Sequence, residues 1–275
     1  MTDPATDHLT LQEVADELGV HYMTAYRYVR IGMLPASKQG RSWIVEREDL
    51  ETFRSTSEDP TERGTAEWDK RLLNRLLAKD AAGAWSTIEA ALASGLSPSR
   101  VYTEMLTPSL QAIGSLWRDG TITVADEHAA VQITKRLIAR LGTQMTSRGV
   151  RRGTVVLGST STEVHDLPTS ILADLLRAER FEVVDLGANL PPESFATTVE
   201  QVDSVVAVAI GITMPGQDGA VSETVSAIRS VSEAPLLIGG AGIDSESAFR
   251  LGASAWARTG DEAVAAINAL VAQEA

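Results

Sequence analysis

The second half of the chain constrains the fold most, because short apolar runs alternate there with amphipathic segments without interruption. Strand-like runs at 154–158, 181–186, 205–212, 235–238 and 253–257 are separated by helical patterns at 169–177, 193–202, 219–231 and 245–251, and a last helical pattern at 261–272 closes the series. Strands that are apolar on both faces need cover on both, and a helix after each strand supplies it. The pattern predicts a flavodoxin-like, doubly wound parallel sheet of five strands. Ligands of such sheets bind outside the carboxyl ends of the strands.

The remaining 150 or so residues divide again. The stretch 55–66 is polar, contains Pro60 and Gly64 and shows no apolar periodicity, so it reads as a linker. From 67 to 147 the spacing is helical: Leu72, Leu73, Leu76 and Leu77 share one face, and Ser97 followed by Pro98 is a helix start. Val101, Met105, Leu106, Leu110, Ile113 and Trp117 recur along the next helix, and Thr123 caps another that runs past Leu137. About four helices in that length predict a four-helix bundle. The whole chain is thus expected to be a multidomain α and α/β protein, with domains at 1–54, 67–147 and 150–275.

The first domain carries a capping box at Thr10 and Glu13, a helix, a tight turn near Gly19, and a second helix bearing Thr24, Arg27 and Arg30. After Pro35, the stretch with Lys38, Gly40 and Arg41 reads as a hairpin wing. The chain holds 24 Lys+Arg against 37 Asp+Glu, a net charge of −13, so the molecule as a whole cannot be a general polyanion binder. Between 27 and 47, however, Arg27, Arg30, Lys38, Arg41 and Arg47 stand against Glu46 alone. That local patch predicts contact with double-stranded DNA: Thr24, Arg27 and Arg30 from the second helix, Lys38 and Arg41 from the wing to phosphates. The segment resembles the winged helix-turn-helix of MerR-family and excisionase-like regulators. With no cysteine, disulfides and thiolate metal sites are excluded. The longest apolar run, 205–212, is far below the roughly 18 residues of a membrane span, and a cytoplasmic protein without a membrane partner is expected.

Glu163 and His165 fall in the loop after the first strand of the predicted sheet, at its ligand-binding edge. A neutral imidazole is a good ligand for cobalt, and a carboxylate two residues earlier can fix its tautomer. With Gly239 and Gly240 after the fourth strand, this loop resembles the cobalamin-binding domain over 153–273. The resemblance implies that His165 replaces the cofactor's own base beneath cobalt and that the freed tail enters a crevice beside the first strand. Gly211 to Thr213 stand where that family has Ser-x-Leu, so Gly211, Thr213, Gly239 and Gly240 are implied cofactor contacts. Pro168 and Gly211 depart from the pattern, one replacing a glycine and the other a serine.

Trp117 and the later pair Glu127 and His128 resemble the cap of CarH/LitR-type cobalamin photoreceptor repressors. The resemblance implies that these three cover the adenosyl side of adenosylcobalamin, held between cap and α/β domain. It further implies a non-enzymatic, light-responsive regulator in which cobalt–carbon photolysis is coupled to a homo-oligomer, dimer or tetramer, and to an operator. Arg118 departs from that family, whose members place a second histidine after the tryptophan; a guanidinium has no lone pair to offer a metal. Two other readings are compatible with the residues: a regulator sensing another tetrapyrrole or small ligand, and a corrinoid carrier for methyl transfer.

Overall fold

The computed structural model describes residues 8–18, 22–30, 34–40, 42–56, 60–145 and 149–273. They form two compact units, Met1–Ala66 and Glu67–Ala275.

The first unit is a small three-stranded sheet with three helices. Its strands are β1 (His8–Thr10), β2 (Ser37–Gln39) and β3 (Ser42–Glu46), and its helices α1 (Leu11–Leu18), α2 (Tyr22–Arg30) and α3 (Arg47–Thr56). The capping box is present: the Glu13 carboxylate accepts from the backbone and hydroxyl of Thr10, both at 2.8 Å, and the Glu13 N–H donates back to the Thr10 hydroxyl. The wing is a hairpin, with Lys38 opposite Trp43 and Gly40 turning at φ +63°. β1, which the sequence does not announce, pairs antiparallel with β3 through Leu9 and Val45. Val14, Ala25, Leu34, Val45 and Leu50 fill the core.

Helices follow in chain order: α4 (Pro60–Leu77), α5 (Ala81–Ala93), α6 (Pro98–Val101), a π-helical turn (Tyr102–Leu106), α7 (Thr107–Arg118) and α8 (Val124–Leu141). The segment read as a linker is therefore helical at both of its ends, in α3 and α4. Leu72, Ile88, Met105, Ile113 and Leu137 make the bundle core. The sheet follows in the predicted order: β4 (Thr154–Ser159), α9 (Leu167–Ala178), β5 (Glu182–Asp185), α10 (Pro192–Gln201), β6 (Val205–Gly211), α11 (Asp218–Arg229), β7 (Leu236–Gly239), α12 (Ser245–Arg250), β8 (Ala255–Ala257) and α13 (Gly260–Gln273). The strands lie parallel in the order β5-β4-β6-β7-β8.

Side-chain alternation along β4 assigns the two faces. Val155 and Leu157 pack with α9 and α13, whereas Val156 packs with α10 and α11. After β4 the chain turns to the first face, and after β6 to the second. The two loops diverge there, which opens a crevice at the carboxyl edge between β4 and β6. The bundle packs on the outer side of α9: Leu167, Ile171 and Leu175 belong to the bundle's apolar cluster. Two polar contacts reinforce this seam, Lys135 Nζ to Asp166 Oδ2 at 2.7 Å and the Tyr102 hydroxyl to Asp174 Oδ2 at 2.5 Å.

Candidate functional site

The loop from Thr160 to Asp166 crosses the point where the sheet switches direction. It is pinned to the β5–α10 loop, since Asn189 Oδ1 accepts from the Thr162 N–H at 3.0 Å and the Asn189 N–H donates to the Glu163 carbonyl at 2.8 Å. Thr162 (φ +77°) and Asn189 (φ +58°) both adopt left-handed backbone, which these mutual bonds hold in place.

Glu163 is fully buried. One carboxylate oxygen accepts from the backbone of His165 at 3.0 Å and from its Nδ1 at 2.5 Å. The other accepts from the N–H groups of Thr213 and Met214, at 2.7 and 2.8 Å, and from Gln217 Nε2 at 3.2 Å. Burial alone would raise its pKa, but the bonds from Met214, His165 and Thr213 outweigh it and hold the carboxyl below its usual range. An ionised carboxylate only accepts, so Nδ1 must carry the proton and the lone pair of the neutral ring sits on Nε2. The His165 side chain is 44% exposed. The loop therefore presents an outward imidazole nitrogen of fixed tautomer, the form in which histidine binds a metal.

Beside this loop lies the crevice, a cavity of about 90 Å³ walled by α9, α13 and the strand ends. Pro168, Thr169, Gly211, Thr213, Gly239 and Gly240 line it. Pro168 occupies the first turn of α9, where a missing N–H removes no helical bond. At Gly211 a Cβ would stand 2.8 Å from the Thr169 methyl, so the threonine fills the space that a serine would need. Gly239 and Gly240 are required by the backbone: a Cβ on either would come within 2.2 Å of a carbonyl, that of Ala257 or Ile212. A larger open cleft of about 580 Å³ runs between α8 and α9, where Lys135 pairs with Asp166 and Arg177 with Asp174.

The remaining candidates gather at the α7–α8 turn of the bundle. Trp117, in the last turn of α7, is 50% exposed, so it is not part of the bundle core despite its helical spacing. Glu127 and His128 follow the capping box of Thr123 and Asp126 in the first turn of α8, their side chains 3.5 Å apart. His128 is 73% exposed. It shares a stripe of α8 with Lys135, seven residues on, at an axial distance of about 10 Å. Lys135 grips Asp166, the neighbour of His165, so the stripe leads from the turn to the loop. Among the described residues no hydrogen bond or ion pair joins Trp117, Glu127 or His128 to Glu163 or His165.

Of the DNA candidates, Lys38 is exposed on β2, 6.0 Å from the Trp43 ring. Thr24, Arg27 and Arg30 lie on α2, but their side chains, and all of Arg41, fall outside the described residues. Sequence reasoning missed Gln217, Asn189 and the Met214 N–H. The polar residues just past strands β5 and β6 were the available signal.

Residues 68–141 and 153–268 each match a B12 binding domain family, and residues 9–56 match a helix-turn-helix domain family. The trimethylamine corrinoid protein 2 of Methanosarcina acetivorans is 26% identical over 186 residues, covering 66% of this chain and 86% of its own. The dimethylamine corrinoid protein 1 of the same organism is 28% identical, covering 64% and 85%. The solved structure of the Methanosarcina barkeri monomethylamine corrinoid protein shares the fold, with a TM-score of 0.64 at 18% identity over 74% of this chain and 99% of that one. A cobalt corrinoid is the cofactor these matches support, and the donor set fits it: one outward imidazole nitrogen beside a crevice. No helix among the described residues is long and apolar enough to cross a membrane.

Proposed function

We propose that this protein is a transcriptional regulator, not an enzyme, that binds adenosylcobalamin between the helical bundle and the α/β domain and changes its hold on a double-stranded operator when illuminated. One observation carries this reading: a helix-turn-helix match with a wing hairpin and a B12-binding unit with a presented histidine stand in the same chain. Bound adenosylcobalamin supplies a cobalt–carbon bond that visible light cleaves.

The chain's own residues do the rest. His165 would hold the cobalt, and Glu163 keeps the lone pair of its ring directed outward. Trp117 offers an exposed aromatic plane, with Glu127 and His128 as polar neighbours, to cover the adenosyl side. Arg118, next to Trp117, cannot ligate cobalt. The bundle is seated on α9, whose first residue is two places after His165, so a change in what the bundle covers alters how it packs. That packing favours or disfavours a dimer or tetramer, and paired DNA-binding domains gain avidity on one operator. Such a protein works in the cytoplasm.

The test is fluorescence anisotropy on an operator selected from genomic fragments, using the full chain. With adenosylcobalamin, dark and illuminated affinities should differ by about tenfold or more, the scale of ordinary coupling energies. Trp117→Ala should lose the difference, while Lys38→Ala should keep it and lower the salt slope by about one unit. An affinity unaffected by cofactor and light contradicts the reading. A second reading, a corrinoid carrier for methyl transfer, is favoured by the names of the relatives; it expects no selected operator at all.

A further inference from the structure

We propose that Arg258 selects corrinoids that carry a nucleotide tail, by pairing with the tail's phosphodiester. This rests on the corrinoid reading above. Cobalt has one axial position beneath the ring. If His165 takes it, the base that cobalamin otherwise places there is released, still tethered by a chain with a single negative charge. The apolar, glycine-walled crevice opens on the same edge of the sheet.

The charge of the tether needs a partner, and the edge offers one. The loops at 160–166, 186–191, 212–217, 240–244 and 258–259 contain a single Lys or Arg, which is Arg258. Arg258 lines the crevice, is exposed, and makes no ion pair among the described residues. Nearby acids are committed elsewhere. Glu262 accepts from the backbone of Arg258 and Thr259 at 2.7 and 3.3 Å, Asp166 holds Lys135, and Glu163 is saturated by five donors. The guanidinium stays protonated and its planar fork matches two oxygens of a phosphate.

The experiment titrates the full chain with aquacobalamin and with aquacobinamide, which has the same corrin ring but lacks the nucleotide and its phosphodiester. Absorbance of the cobalt chromophore reports binding for wild type, Arg258→Gln and Arg258→Lys. Arg258→Gln should weaken aquacobalamin binding by about tenfold, the scale of one charge-assisted contact, leave aquacobinamide unchanged and flatten the salt dependence of aquacobalamin binding. Arg258→Lys should recover part of the loss. Equal weakening of both corrinoids assigns Arg258 a structural role, and no weakening of either removes it from recognition; both results overturn the proposal. If wild type binds neither corrinoid, the functional reading fails and this inference with it.

Discussion

Replacing Glu163 by glutamine is expected to destabilise the Glu67–Ala275 unit by about 2–4 kcal/mol and to weaken corrinoid binding by about 10- to 100-fold. The carboxylate meets two donors at one oxygen and three at the other. Whichever position the amide nitrogen takes, its hydrogens face N–H groups that lose their acceptor inside a buried site. The Nδ1 proton of His165 also loses its charged partner, and the ring is freed to change tautomer or turn away. Thermal unfolding of apo-protein should fall by on the order of 10 °C. The pH dependence has a definite sign. Glu163 titrates lower when folded, so its contribution is complete above the ordinary carboxylate range and lost as pH falls through its folded value. The gap between wild type and Glu163→Gln should therefore close in acid, and a gap that widens there would be inconsistent with an ionised carboxylate.

The second large effect belongs to the seam between bundle and α9. Tyr102 is fully buried and Asp174 nearly so. Their 2.5 Å bond leaves the phenol a donor, because burial first, and then Asp174, push its pKa far above the usual value. Asp174 also holds Arg177 at 2.8 Å and sits where Gly142 has no side chain, 2.6 Å from the position a Cβ would take. Asp174→Leu strips both partners and is expected to cost about 2–4 kcal/mol, less than for a fully buried ion pair because the Arg177 side chain is 34% exposed. Tyr102→Phe, which leaves the Asp174–Arg177 pair intact, should cost about 1–2 kcal/mol. A double-mutant cycle with Asp174→Asn, read by chemical denaturation, should return a coupling of about 1.5–3 kcal/mol. Coupling near zero would mean that the seam is held by its apolar contacts alone.

What the sequence reveals follows from where the determining contacts lie. The alternation from 154 onward is legible because a buried parallel strand is apolar at its centre; all six residues of β4 are buried, with Val155, Val156 and Leu157 in its middle. Glu163 and His165 are legible because two residues in one loop carry the chemistry. β1 is not, since its three residues become a strand only by pairing with β3, and Thr10 serves also as the cap of α1. The start of α4 at Pro60 is hidden by a residue that reads as a breaker yet loses nothing at a helix's first position. The π-helical turn at 102–106, which lies where Tyr102 reaches Asp174, leaves no periodic trace. Gln217 and Asn189 escape for a similar reason. They act on Glu163 and its loop from segments brought near by strand order, not by sequence spacing. Trp117 illustrates the limit of periodicity: its spacing fits the bundle core, and only its exposure shows that it does not pack there.

If a cobalamin is held here, His165 would take the place of the cofactor's own base at cobalt. Electron paramagnetic resonance of the full chain loaded with cobalamin and reduced to the cobalt(II) state tests it most directly, with histidine supplied as the 15N isotope. A ligand of nuclear spin one-half splits each high-field line into a doublet. Doublets in wild type that vanish in His165→Ala are the predicted result. Triplets, which report the natural-abundance nitrogen of the benzimidazole base still bound to cobalt, would contradict it.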